Sequence, residues 1–189
     1  MDADRANDSV PPGWERNPSR WSHRAPLAAL AFVGFCVATY LTLYQSRAVG
    51  SVWEPFFGAG SRTILNSGVA RFLPVPDASL GAAAYLAEVV LCLAGGPDRW
   101  RRWPWVVVFY GLVVAGLGAG SVGLVIFQGD VYHAWCTLCL VSALISVNLV
   151  GPGLTEPLAS LQYFRRELRT APSGSSAPGT GQRSPAGRA

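Results

Sequence analysis

Two cysteines three residues apart, in Cys136-Thr137-Leu138-Cys139, are the residues of this 189-residue chain best suited to chemistry. Residues at i and i+3 of a helix share a face, which puts two sulfurs within reach of a disulfide. Cys136 is expected in the first helical turn, where unpaired N–H groups and the helix dipole favour a thiolate. The thiolate is the species that attacks and leaves in disulfide exchange. Hydrocarbon around Cys139 opposes ionisation there, so the two cysteines are unequal. One sulfur is expected to face water and a protein partner, the other an apolar pocket. Such a pair suits electron transfer between a protein thiol and a lipid-soluble oxidant such as a quinone. Leu140 rather than His follows, so there is no haem-attachment pattern. Two alternatives stand beside redox chemistry. The cysteines could be small buried apolar residues without chemistry, or His133, Cys136 and Cys139 could hold a metal with Asp130 as the only evident fourth ligand. The redox reading is preferred, with no metal. Cys36 and Cys92, alone in apolar runs, read as buried packing residues.

The surrounding composition explains how the pair is positioned. Half of the chain is hydrophobic (50%), only 14% is charged and the mean hydropathy is +0.28. Soluble domains carry about 25% charged residues, so an ordinary cytosolic globule is excluded. All 15 basic residues are arginines, and they lie in the ends and loops rather than on one face. The net charge of +4 therefore reflects membrane topology, and no nucleic-acid partner is expected. Four apolar runs, at residues 26–44, 79–94, 105–127 and 131–150, predict an all-α polytopic membrane protein. The expected architecture is a four-transmembrane-helix bundle with a long outer loop between helices 1 and 2. Residues 1–24 read as a disordered cytoplasmic N-terminus, 25–153 as the transmembrane domain, and 154–189 as a mostly disordered cytoplasmic tail.

Arginine placement orients the bundle in a cell membrane. Arg16, Arg20 and Arg24 precede the first run, Arg99, Arg101 and Arg102 lie between the second and third, and Arg165, Arg166 and Arg169 follow the fourth. The longer 45–78 loop has only Arg47, Arg62 and Arg71. The positive-inside bias places both termini in the cytoplasm and the cysteine pair at the outer face, where disulfides persist. Trp53, Trp100, Trp103, Trp105 and Trp135 fall near the expected interfaces and read as anchors. Trp53, Phe56 and Phe57 suit either a lid over a pocket or contact with the lipid surface. Glu88 lies inside the second run and shares a helix face with Tyr85 and Cys92. A carboxylate in a span needs pairing, protonation or a cavity. Glu88 is expected to be structural, reaching the cytoplasmic interface or meeting an arginine of the 95–104 loop.

Beyond these patterns, Trp135-Cys136-Thr137-Leu138-Cys139-Leu140-Val141-Ser142-Ala143-Leu144 resembles the WCxxCLxSAL segment of the vitamin K epoxide reductase family in its bacterial form. Three further segments resemble the same family in order and spacing. They are Ser61-Arg62-Thr63-Ile64-Leu65-Asn66-Ser67, Pro76-Asp77-Ala78-Ser79-Leu80-Gly81 followed by Tyr85, and Tyr40-Leu41-Thr42-Leu43. The resemblance implies four helices around a menaquinone- or ubiquinone-like molecule, with Cys139 beside the ring and Cys136 exchanging with a thiol. It also implies Asp77, Gly81, Tyr85 and Ala143 as quinone-binding residues. Asp77 stands where the family usually has an asparagine, and only a protonated Asp77 can donate to a quinone carbonyl.

The outer loop departs from the family. Ser61 occupies the second of its two loop-cysteine positions, and no cysteine occurs between Val37 and Leu91. A serine cannot form a mixed disulfide, so the internal relay is absent. The preferred consequence is that a separate extracytoplasmic thioredoxin-like protein delivers thiols directly to Cys136. The alternative is a non-catalytic protein that binds quinone or a partner.

Overall fold

The apolar runs fold as helices, and the described residues contain no strand. The computed structural model describes residues 10–11, 13–68 and 76–170. Arg71 and the expected disorder at 1–9 and 171–189 lie outside the described residues. In chain order the helices are α1 (Trp21–Gln45), α2 (Gly60–Leu65), α3 (Asp77–Leu93), α4 (Arg99–Arg102), α5 (Pro104–Asp130) and α6 (Thr137–Thr170). Three helical segments, Trp21–Gln45, Pro104–Asp130 and Thr137–Arg166, are long and apolar enough to cross a membrane. α3 has 17 residues, about 25 Å of helix, and corresponds to the second apolar run.

Small residues set how closely the helices approach. α1 turns Leu27, Ala31, Gly34, Ala38 and Leu41 inward, a spacing of three and four that makes one continuous stripe. This stripe packs on α3, and a Cβ at Gly34 would fall within the Tyr85 ring. On α5, Gly111 admits the Pro157 ring of α6 and Gly118 admits Val150. α1 also meets α6 and α3 meets α5, so each long helix touches two others. Phe32, Val33, Leu86, Val90, Phe109, Leu112 and Val122 point outward. Lipid solvates such faces; water does not.

At the arginine-rich end the helices overrun the expected boundaries. α1 starts at Trp21, so the boundary at 24 falls inside it, and Asn17, Ser19 and Arg24 are buried rather than part of a loose lead-in. α6 runs on to Thr170 through Pro152 and Pro157, so the boundary at 153 also falls inside a helix. Proline normally interrupts a helix by removing a backbone donor. Here Pro157 is seated on Gly111, and Glu156 is held by Arg99 and Ser19, so packing outweighs the lost bonds. At the other end, residues 131–136 are not helical. His133 takes a left-handed conformation (φ 46°) where the chain turns from α5 into α6.

A buried polar cluster closes the same arginine-rich end. Arg24 donates to the carbonyls of Cys92, Ala94 (2.6 Å) and Gly95 (3.0 Å). Arg99 donates to Leu91 and Ala94 (2.8 Å) and pairs with Glu156. The final carbonyls of α3, which lack intrahelical donors, are thus capped by two guanidinium groups. Glu88 neither reaches an interface nor meets an arginine. It is buried with no hydrogen-bond partner for either carboxyl oxygen, because Arg24 and Arg99 are committed to the end of α3. Two further expectations are corrected. Trp100 is buried edge-to-face on Tyr163 rather than anchoring at an interface, and Cys36 is exposed. Cys92 is buried, as expected, and its thiol donates to the Tyr110 hydroxyl (3.4 Å).

Candidate functional site

The turn before α6 places both sulfurs. Cys136 immediately precedes the helix, its carbonyl accepting from Leu140 N–H (3.0 Å) and its sulfur from Cys139 N–H (3.2 Å). The two cysteines form a disulfide with their Cα atoms 5.2 Å apart, a separation that an i, i+3 spacing delivers without backbone movement. The Cys136 N–H donates to Oε1 of Gln128 in the last turn of α5 (3.1 Å). Among the described residues no three His, Cys, Asp or Glu side chains come together to hold a metal ion, so His133 and Asp130 do not join the cysteines.

Glu54, which sequence reasoning missed, ties the outer loop to this turn. Its carboxylate accepts from the Thr137 N–H (3.1 Å) and hydroxyl, from the Ser61 hydroxyl, and from the Phe57 N–H (3.2 Å). Partial burial pushes the Glu54 pKa up, but the bonds from Ser61, Thr137 and Phe57 outweigh it and hold the group at about 2. Ser61 is fully buried, and a Cβ on Gly60 would collide with the Trp135 carbonyl. The α2 turn therefore lies against the start of α6, and Cys136 is 0% exposed. Cys136 was expected to face water and a partner; instead the strapped loop covers it.

Cys139 has the other environment. It lines a cavity of about 550 Å³, together with Asp77, Gly81 and Tyr85 of α3 and Ala143 of α6. The walls are largely apolar, with Leu41, Leu65, Leu117, Leu124 and Phe127 among them. Pockets for small molecules span about 300–1,000 Å³ and combine apolar walls with a few polar groups. Gly116, Gly120 and Gly123 also line the cavity, and no atom lies within 4 Å of where a Cβ on any of them would sit. Leu80 of α3 and Gly120, Leu124 and Phe127 of α5 are exposed as well as lining it. The cavity therefore opens sideways between these two helices. Trp53, Phe56 and Phe57 are exposed and do not line it.

Two of the polar lining groups are already engaged. Oδ1 of Asp77 accepts from its neighbour's Ala78 N–H (2.8 Å) and from the Gln45 amide. Both donors converge on the one oxygen Oδ1, which is thereby engaged as an acceptor. The Tyr85 hydroxyl bonds to the Ser142 carbonyl (2.7 Å) and the Ser146 hydroxyl (2.6 Å), so Tyr85 presents its ring to the cavity. Gln128, a second residue that sequence reasoning missed, also lines it while bonded to Cys136. The only sequence signal for Gln128 is a polar residue near the end of an otherwise apolar helix, eight residues before Cys136.

The arrangement joins a disulfide to an apolar-walled cavity in a chain whose described residues form helices without strands, three of those helices membrane-competent. A comparison with curated proteins gives no match. The vitamin K epoxide reductase family model matches residues 25–151, from α1 through the cysteine pair into α6. This multi-pass membrane protein therefore belongs to the vitamin K epoxide reductase family, whose members are redox proteins.

Proposed function

We propose that this chain is a four-membrane-helix thiol–disulfide oxidoreductase, with electrons passing between a partner dithiol, the Cys136–Cys139 pair and a menaquinone- or ubiquinone-like molecule in the bilayer. The observation that carries the proposal is that Cys139, half of the disulfide, lines the cavity shared with Asp77, Gly81, Tyr85 and Ala143. The arginine distribution supports cytoplasmic termini and a cysteine pair at the outer face of the cell membrane.

The electron count follows from thiol chemistry. A thiolate of an extracytoplasmic thioredoxin-like partner attacks the sulfur of Cys136 and releases Cys139. The partner's second thiolate then completes its own disulfide and releases Cys136, which leaves both helix cysteines reduced. A quinone bound in the cavity supplies the acceptor for two electrons and two protons. Restoring Cys136–Cys139 returns the site to its starting state. The Cys139 N–H, already bonded to the Cys136 sulfur, stabilises negative charge on that sulfur when the pair is open. The outer loop must release from Thr137 before a partner reaches Cys136.

The second reading is a non-catalytic quinone- or partner-binding protein, and one observation favours it: Cys136 is fully covered and the covering loop has Ser61 in place of a relay cysteine. Dithiol-dependent reduction of menadione by the purified protein separates the two. We expect turnover in the wild type and its loss in Cys136→Ser and in Cys139→Ser. Saturable menadione binding without turnover, or rates unchanged in both variants, would overturn the oxidoreductase reading. A mixed disulfide trapped on Cys136 in the Cys139→Ser protein would identify the thiol donor.

A further inference from the structure

Resting on the quinone reading above, we propose that Gln128 is a quinone-binding residue whose side-chain amide N–H donates to a carbonyl oxygen of the bound molecule. Three observations carry it. The side chain is buried in the last turn of α5 and lines the same cavity as Cys139. Its orientation is settled by its partner: the Cys136 N–H is purely a donor, so the Gln128 atom facing it at 3.1 Å is the oxygen. The amide nitrogen, with two N–H donors, is then the end left over, and no described residue accepts from it. An N–H donor at the wall of a largely apolar cavity is the kind of polar group that orients a ligand there, and a carbonyl oxygen is its natural partner.

Of the other polar groups implied for this task, one Asp77 oxygen and the Tyr85 hydroxyl are already bonded within the protein. Asp77 accepts from Gln45 and Ala78, and the Tyr85 hydroxyl is bonded to Ser142 and Ser146. Gln128 therefore supplies the donor that an asparagine at position 77 would have supplied, from a different helix. It also links ligand and disulfide directly, because one end of its amide holds the backbone of Cys136 while the other faces the cavity.

The test uses the full-length protein in nanodiscs and carbonyl-¹³C-labelled menadione, read by difference infrared spectroscopy alongside a binding titration. In the wild type a bound carbonyl band shifted to lower frequency than in protein-free lipid is expected. In Gln128→Met that shift is lost and binding weakens about tenfold, the scale of one hydrogen bond. Gln128→Glu, measured at alkaline pH, retains an acceptor for the Cys136 N–H but offers no amide donor. It should lose the band shift too, which guards against a folding defect in the methionine variant. A wild-type band frequency and affinity in both variants would overturn the assignment while leaving the quinone reading intact. If menadione fails to bind saturably to the wild type, the quinone reading itself falls and this assignment falls with it.

Discussion

Glu54 joins two stretches of chain 83 residues apart by accepting from both the Thr137 N–H and the Thr137 hydroxyl. Its pKa is lowered from 4.5 to about 2, and the sign of the linkage follows. A carboxylate with a depressed folded-state pKa contributes stability that is complete above the unfolded value and is lost as pH falls through the folded one. The loop should therefore stay fastened at neutral pH and loosen between about pH 4.5 and 2. Pepsin cleavage at Phe56–Phe57, normalised to an unstructured peptide, is expected to rise across that window. Glu54→Gln should abolish the window. Cleavage that is flat in the wild type would disprove the clasp. Little of this was legible in sequence. A glutamate beside Pro55, in a loop, carries no mark of a partner that lies beyond four helices. The cysteine pair was singled out by its local spacing, and Asp77, Gly81, Tyr85 and Ala143 by short segments that resemble the family's; these four line one cavity with Cys139. The burial of Cys136 was not, because what covers it comes from residues 54–61, far away in the chain.

At the level of elements, α5 forms the cavity wall through what it omits. Gly116, Gly120 and Gly123 leave open space where side chains would project. Gly120→Leu should fit without displacing a neighbour and occupy ligand space. We expect menadione binding to weaken by roughly tenfold or more, corresponding to at least about 1.4 kcal/mol, with unchanged thermal unfolding. Binding titration and a melting curve on the same sample check both halves. The glycine punctuation of this run was visible in sequence, but not which face it lay on. Helix ends were less legible than helix cores. The transmembrane domain was expected to end at residue 153, whereas Gly111 opposite Pro157 and the Arg99–Glu156 pair sustain α6 to Thr170. Apolar periodicity is written locally, while these contacts belong to the packed state.

For the whole molecule, orientation rests on arginines that serve two different purposes. Arg24 and Arg99 are buried caps of α3, whereas Arg20, Arg101, Arg102, Arg165 and Arg169 are exposed. Exposed arginines at this end outnumber Arg47 and Arg62, which are exposed in the loop at the other end, and the proposed orientation rests on that difference. In intact cells an impermeant maleimide should label Phe56→Cys, at a residue that is 76% exposed, and should reach Arg101→Cys only after lysis. Cys36→Ser is the background for both, since the native Cys36 is exposed. The reverse pattern would invert the assigned topology. The sideways mouth between Leu80 on one helix and Gly120, Leu124 and Phe127 on the next has a consequence for affinity. A hydrophobic guest arrives after dissolving in the acyl chains, so occupancy follows its mole fraction in the bilayer rather than its aqueous concentration. On the proposed quinone reading, an isoprenoid tail trailing among the lipids would set how much guest the membrane stores, and only the head group would be measured against the protein.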